Sequence, residues 1–505
     1  MEINLVGGSY KNKYIAVNPQ RTINWYIQRD SLPDEDSKYK QALIPTPGYT
    51  LFATSGYTNA RKVFTARTIT YTRCFTVCQN QFIELFADGT KNVIGQLALI
   101  PNDDSSVFFT VNSNDQVGIW NFTASYCFDM STDTLTQITD GDFPNGVTYA
   151  DFTEDYNIIT ANGRVYYNLS DILTWNASEV FSVPASANKI LAAVVYKDNL
   201  HCFGQESVNV YINDGTNPFS KQFQSTFPMG LFSVRTLQVF HDGIIFAGIT
   251  RKGGVRIYLY NGVEIVPLSV PSISWQINDP TQLQNLTWDA QSVYTWDNWY
   301  SLWNSSFANM YSELEYTVLG QVLYYLTVPT MNTTFVYDLE LKEWVERQSL
   351  SSGQQQMFRG GTLTNFEKMN LWTDIYDGNI YKEDYNVVTE TASLNSITRT
   401  RITKITSEQK KNLSMYEAEV DCTTGVGLKL TPATTANLNF YYSRDGGNTY
   451  SNAITLSTGI AGDYTRRPRV TGLGTARDWV FKVTLTDKAD IALNSLLVRG
   501  VVDSY

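Results

Sequence analysis

A strand with a central Tyr or Trp that runs into a polar turn recurs through the middle of this 505-residue chain. It reads VGIWNFT around Ile119, RVYYNLSD around Tyr166, NVYINDG around Tyr211, RIYLYNG around Tyr258, FVYDLELKEW around Tyr337 and NIYKEDY around Tyr381. The steps between these positions are 47, 45, 47, 79 and 44 residues. A four-stranded propeller blade occupies about 45 residues, and such units are stable only as an array of stacked neighbours. FIELFADGT around Phe82 adds an earlier repeat, so the pattern predicts a β-propeller-like body of about six or seven blades. The long step holds an insertion at about 278–312, and five of the eleven Trp residues fall in the stretch from Trp275 to Trp303. A small aromatic core, a subunit contact and a glycan-stacking surface all fit that composition.

Composition agrees with an all-β chain. Tyr (32), Phe (25) and Trp (11) are abundant, Gly (32) punctuates them, and long helical periodicities are missing. Three regions follow: an N-terminal arm and lead-in over 1–60, the propeller-like body over 61–390, and a C-terminal β-sandwich-like domain over 391–505. In the lead-in, Asn18 to Tyr26 is a turn running into an aromatic strand. An acidic loop follows at Asp30 to Asp36, and Pro45 and Pro47 then force an extended connection.

Charge is uneven. The chain carries −11 overall, but from residue 395 onward there are 14 Lys and Arg against 10 Asp and Glu. The body is therefore acidic, at about −15, which argues against tight sequence-independent binding to nucleic acid. It is compatible with a wall past which DNA slides. The five cysteines, Cys74, Cys78, Cys127, Cys202 and Cys422, form no disulfide framework and point to synthesis in a reducing cytoplasm. The first residues have no basic and apolar signal pattern, and no apolar run is long enough for a membrane span.

No catalytic, cofactor or metal set emerges. His201 and His241 are the only histidines, and Cys74 with Cys78 lacks a second pair to complete a tetrahedral metal site. The stretch GITRKGG from Gly248 lacks the end of a phosphate loop. Asp151 with Glu154 and Asp155 is the nearest approach to a glycosidase pair, and the sequence does not fix its spacing. The expectation is a protein that is not an enzyme.

The C-terminal region carries a sharper signal. Ser443-Arg-Asp-Gly-Gly-Asn-Thr-Tyr450 reads as an Asp-box hairpin, in which Ser443, Asp445, Gly447 and Thr449 build the turn and an aromatic ring holds it to the sheet. It continues into Gly462-Asp-Tyr-Thr-Arg-Arg467 and then Leu473-Gly-Thr-Ala-Arg-Asp-Trp-Val-Phe-Lys482. This succession resembles the C-terminal segment of the packaged-DNA stabilisation, tail hub or tail nozzle proteins of short-tailed bacteriophages. Further matches follow in the family's order: Asn24-Trp-Tyr, Thr46-Pro-Gly-Tyr-Thr-Leu-Phe52, Leu200 to Tyr211, Asn217-Pro-Phe219, Ile257 to Gly262, and Val328-Pro329 with Phe335 to Trp344. The Trp-rich insertion departs from the family pattern and suggests a lineage-specific tip or docking surface.

The resemblance implies a structural virion protein that assembles as a ring, commonly a hexamer, below the portal and its adaptor ring. Such a ring continues the DNA channel, helps to retain the packaged genome and offers a surface to tail fibres or spikes. Duplex DNA then passes without sequence-specific binding. On this reading Arg21, Trp25 and Tyr26 in the arm, and Arg466, Arg467 and Arg469 near the C-terminus, are candidate contacts to a neighbouring subunit or the adaptor; plain core packing is the competing reading of Trp25 and Tyr26. The competing reading, from the Asp-box turn and the Trp cluster, is a carbohydrate-binding or carbohydrate-cleaving propeller, sialidase-like or lectin. A secreted adhesin fits less well, for want of a signal peptide.

Overall fold

The structure is a computed structural model that describes residues 1–29, 40–100, 105–153, 156–169, 171–182, 189–212, 219–250, 254–278, 310–391, 395–408 and 411–502. The acidic loop, Glu154, Asp155, Asn217, Pro218 and nearly all of the Trp-rich insertion lie outside these residues. Trp275, just before the insertion, is described, in the helix Pro271–Ile277.

Seven blades form among the described residues, each an antiparallel sheet of at least four strands. The first four are consecutive meanders, opening with Ala60–Arg67, Val107–Val111, Val147–Phe152 and Ile190–Tyr196. The fifth spans Gly230–Leu231 to Ile265–Pro267, the sixth Tyr311–Tyr316 to Glu343–Ser351, and the seventh begins at Gly360–Phe366. The recurring phrase marks one blade each time. Phe82, Tyr166, Tyr211, Tyr258, Tyr337 and Tyr381 all lie on the third strand of their blade, whereas Ile119 lies on the second. The 79-residue step skips no blade, since it separates the fifth from the sixth.

Neighbouring blades are joined by apolar contacts and by hydrogen bonds. Phe64 stacks on Phe109 between blades one and two, with ring centroids 5.1 Å apart, and Phe203 meets Phe246 at 5.1 Å between four and five. Ring closure falls between blades seven and one, where Thr364 donates to Thr65 at 2.9 Å and the Val63 amide donates to Thr362 Oγ1 at 3.0 Å. The outer strand of blade seven comes from far away in sequence: Gly48–Ala53 pairs antiparallel with Ile380–Asp384. An N-terminal strand thus completes the last blade and joins the two ends of the propeller.

The C-terminal residues form a sandwich of two sheets. One runs in the order Trp25–Arg29, Gln41–Pro45, Leu493–Val502, Leu413–Cys422, Arg469–Ala476, with Glu2–Asn4 also against Leu493–Val502. The other runs Arg21–Ile23, Arg399–Ile402, Val480–Leu485, Ala436–Ser443, Ile454–Gly459. Alternating inward residues such as Leu438, Phe440, Val483, Phe481, Ala418 and Val420 fill the space between them, as the period of two requires.

The expectation of a separate arm over residues 1–60 does not hold. The first four N-terminal strands belong to the sandwich and the fifth to blade seven, because each finds an unpaired edge to cover. Arg21–Ile23 pairs on one side with Arg399–Ile402 and on the other, in parallel, with the outer strand of blade six through Ile23 and Glu346. One ten-stranded sheet therefore crosses from propeller to sandwich. The apolar core crosses with it, joining Trp25, Tyr26, Leu496 and Phe440 to Tyr325, Val345, Phe358 and Trp372.

Beside this core lies a buried polar group. Tyr26 and Tyr325 share a hydroxyl hydrogen bond, and Tyr325 donates to Glu315 at 2.5 Å. Arg347 donates to Tyr49 Oη at 3.0 Å, and Asn370 donates to Glu383 at 3.0 Å. Burial, and then the nearby Glu315 carboxylate, hold the Glu383 carboxyl well above the usual range. A protonated Glu383 spares the interior a second buried negative charge beside the Arg347 cation, which is the arrangement a dry interior tolerates. A carboxyl that is protonated when folded binds more protons than in the unfolded chain, so wild-type stability falls as pH rises above about 4.3, the unfolded value. Glu383→Gln removes that dependence: the thermal midpoint of the variant should gain on wild type as pH goes from 5 to 9, read by scanning calorimetry.

Candidate functional site

Of the three candidates near the N-terminus, none presents its functional group outward. Trp25 is 0% exposed and Tyr26 2%, both within the joint core. Arg21 forks onto Glu346, with Nε donating to Oε1 at 3.0 Å and Nη2 to Oε2. Burial alone would raise the Glu346 carboxyl, but the Arg21 charge and hydrogen bonds from Arg21 and Ser9 hold it below the usual range. These residues fix the chain to itself: Trp25 and Tyr26 take the core reading rather than the subunit one, and Arg21 spends its fork on Glu346.

Three buried arginines do similar work and are not suggested by any motif. Arg401 Nη1 donates to the Gly7 and Gly8 carbonyls at 3.0 and 3.2 Å and to Thr22 Oγ1 at 2.6 Å. Arg399 donates to the Thr46 carbonyl at 3.1 Å, and Arg347 to that of Pro47 at 2.9 Å. Burial pulls both Arg399 and Arg401 down to about 9, so they stay charged at neutral pH. The only signal for them in sequence is that Arg399 and Arg401 stand two apart on a strand, hence on one face.

Innermost strands of the blades enclose an axial cavity of about 700 Å³, with Phe108, Tyr149, Asp151, Arg235, Gln238 and Tyr311 in its wall. Across it, Lys62 of blade one pairs with Glu313 of blade six at 2.8 Å. Arg61 is engaged by its own surroundings, donating to the Gln79 carbonyl at 2.6 Å and to Ser105 Oγ at 2.7 Å. Asp151 accepts from the amides of Val195 and Phe152 at 2.9 and 2.8 Å, and burial pushes its carboxyl up to about 6. Its charges are met by protein groups, which suits a packed axis more than an anion-binding sialidase-like centre.

At the hairpin, Gly447 N donates to Ser443 Oγ at 2.8 Å, Ser443 Oγ donates to Asp445 Oδ1 at 2.6 Å, and Thr449 donates to Asp445 from both its amide (2.9 Å) and its hydroxyl (2.6 Å). Gly447, at φ +98°, is in the left-handed region, and a side chain there would press on Ile15 and Pro19. The Ser443 and then Thr449 hydroxyls hold the Asp445 carboxyl down at about 2. The turn's polar groups thus serve the turn.

Arg466, Arg467 and Arg469 are exposed, as a contact surface needs. Folding brings acids between them that sequence distance hid. Glu417 faces both Arg469 and Arg499, at 3.5 and 3.4 Å, and Glu419 faces Arg467 at 3.9 Å. The sheet face they occupy is a mixed ion lattice.

Residues 28–295 match the family described as Bacteriophage P22 Gp10, beta-propeller, and residues 398–501 match Bacteriophage P22 Gp10, beta-sandwich. The chain belongs to the bacteriophage P22 Gp10 family. Members of this packaged-DNA stabilisation family are structural proteins of the phage virion tail; the first match covers the N-terminal strands from residue 28 and blades one to five, and the second covers the C-terminal strands of the sandwich. No curated protein matches the chain. Among solved structures, it is similar to the N-terminal domain of Nup159 (10% identity, 70% of this chain and 98% of that one, TM-score 0.39). It is also similar to the extracellular domain of the putative hybrid two-component system BT4673 from B. thetaiotaomicron (10%, 84% and 47%, 0.42) and to the Neurospora crassa Pan2 WD40 domain (9%, 67% and 96%, 0.41). Among the described residues no His, Cys, Asp and Glu side chains group as a metal site, and no helix is long and apolar enough to cross a membrane.

Removing Arg21 leaves Glu346 buried beside the crossing strand without its cation. Arg21→Gln should cost roughly 3 kcal/mol in urea unfolding at pH 7, the usual scale for breaking such a pair from one side. Because the folded Glu346 value is depressed, that difference should shrink as pH falls below about 4.

Proposed function

We propose that this chain is the repeating unit of a tail nozzle or hub ring below the portal and its adaptor. The ring extends the DNA channel, helps to retain the packaged genome and carries fibres or spikes on its outside. Membership of the Gp10 family over both folds carries the reading. It makes no bond and breaks none; its work is plugging, guiding and docking.

Two physical points support a channel made between copies. The axial cavity holds about 700 Å³ and is bridged by the Lys62–Glu313 pair at 2.8 Å, so side chains close the propeller axis to a duplex. The conduit then has to be the axis of a ring. The acidic body suits its wall, since like charge keeps the duplex from adhering during packing and ejection.

Light scattering on the purified chain, alone and mixed with a candidate adaptor ring, tests this. The expected result is a closed ring, or a monomer that becomes a ring on the adaptor. A chain that stays monomeric beside the adaptor and instead binds or cleaves glycans contradicts it.

A further inference from the structure

The N-terminal loop and the Asp-box hairpin, far apart in sequence, meet in space. Gly447 lies against Ile15 and Pro19, so the loop over residues 10–20 packs on the turn. Together they gather cations around aromatic rings. The Lys482 ammonium sits 4.8 Å from the Tyr441 ring centroid and 5.7 Å from that of Tyr450, and Lys13 sits 5.8 Å from that of Tyr14. Lys11, Lys13, Tyr14 and Arg444 are exposed. Arg21 neutralises Glu346 beside this patch. The four cations Lys11, Lys13, Arg444 and Lys482 then outnumber the two remaining acids, Glu343 and Asp445, so the patch is net positive on a chain of −11.

The opposite charge is concentrated in one place. Among the described residues of 105–182, which hold blades two and three, there are eight Asp and Glu and one cation, Arg164; of the acids, Asp151 is buried at the axial cavity and Asp133 pairs with Arg73. Asp142 is exposed there, and Glu179 is half-buried. Blades close in order around seven positions, and the sandwich grows from blade six and borders blade seven. In a ring of seven, blades two and three lie directly across from six. The positive patch and the acidic blades thus stand at opposite ends of one chain.

We propose that the patch of Lys11, Lys13, Tyr14, Tyr441, Tyr450 and Lys482 docks on the acidic blades two and three of a second copy of this chain. Two copies meeting patch to patch would bring like charges together, which disfavours a twofold dimer. A contact between two different surfaces is heterologous, and repeated contacts of that kind close into a ring when the rotation allows. The cation–π pairs add an apolar component to the charge match, since the tyrosine faces are available once the lysines are desolvated. The inference rests on the ring reading above and gives that ring its contact.

Sedimentation of the full chain, with and without an adaptor ring, tests it through charge swaps. Lys11→Glu with Lys13→Glu alters two exposed side chains and should weaken self-association by about tenfold or more; raising salt, which shortens the screening length, should weaken wild type in the same direction. Pairing that variant with a copy carrying Asp142→Lys and Glu179→Lys should restore assembly between the two. Wild type that assembles while the Lys11/Lys13 variant assembles equally well overturns the interface and leaves the ring reading standing. So does a variant that assembles normally but loses retention on duplex DNA, which would assign the patch to DNA. Wild type that stays monomeric under every condition overturns the ring reading and the interface together.

Discussion

The rest of the structure depends on a three-residue strand. Arg21–Ile23 is hydrogen-bonded to the outer strand of blade six on one side and to the sandwich on the other, and it turns two sheets into one. A strand this short has little intrinsic preference to form. What holds it is the surroundings: the Arg21 fork onto buried Glu346, the Thr22 hydroxyl on the Gly7 carbonyl at 2.5 Å, and Asn24, whose side chain donates to Gln348 and Thr398 carbonyls at 2.9 and 2.7 Å. Asn24 does this at φ +58°, a left-handed conformation that Asn adopts more readily than most residues. The chain bends there from one sheet into the next.

That junction explains why so much charge is buried. Arg347, Arg399 and Arg401 each meet the N-terminal segment through its carbonyl oxygens, where a side-chain cation can satisfy backbone acceptors that no strand reaches. Hydrophobic contact alone would hold the N-terminal strands against the body, but it would not fix their register. The guanidinium groups, with Tyr49, Tyr26 and the two buried glutamates, define one position for the segment. Joining propeller and sandwich along a common sheet and a common core is a more rigid solution than a linker.

Much of the fold was legible in the sequence, and the reasons are specific. The repeat around Phe82, Ile119, Tyr166, Tyr211, Tyr258, Tyr337 and Tyr381 marks all seven blades, since each blade needs an aromatic residue to pack against its neighbour. The hairpin at Ser443 to Tyr450 is local and could be read from its own residues. The role of the first 53 residues was not legible, because their partners lie hundreds of positions away and a strand that covers a distant edge looks like any short extended stretch. Trp25 and Tyr26, which read either as core residues or as a subunit contact, lie in the joint core, and Arg21 turns to Glu346. Arg466, Arg467 and Arg469 are exposed, but Glu417 and Glu419, about 50 residues upstream, come alongside them only in the sheet. Charge counted along the chain overstated that region's basic character.

Native-state hydrogen exchange on the full chain tests most directly whether propeller and sandwich form one body through their N-terminal strands. The account predicts that the amides of Ile23 and Asn24, and those paired across Gly48–Ala53 and Ile380–Asp384, exchange only with global unfolding, together with core amides of the sandwich such as Phe481. Exchange of these N-terminal amides at much lower free energy, while blade and sandwich amides stay protected, would contradict it and make the segment a detachable strap.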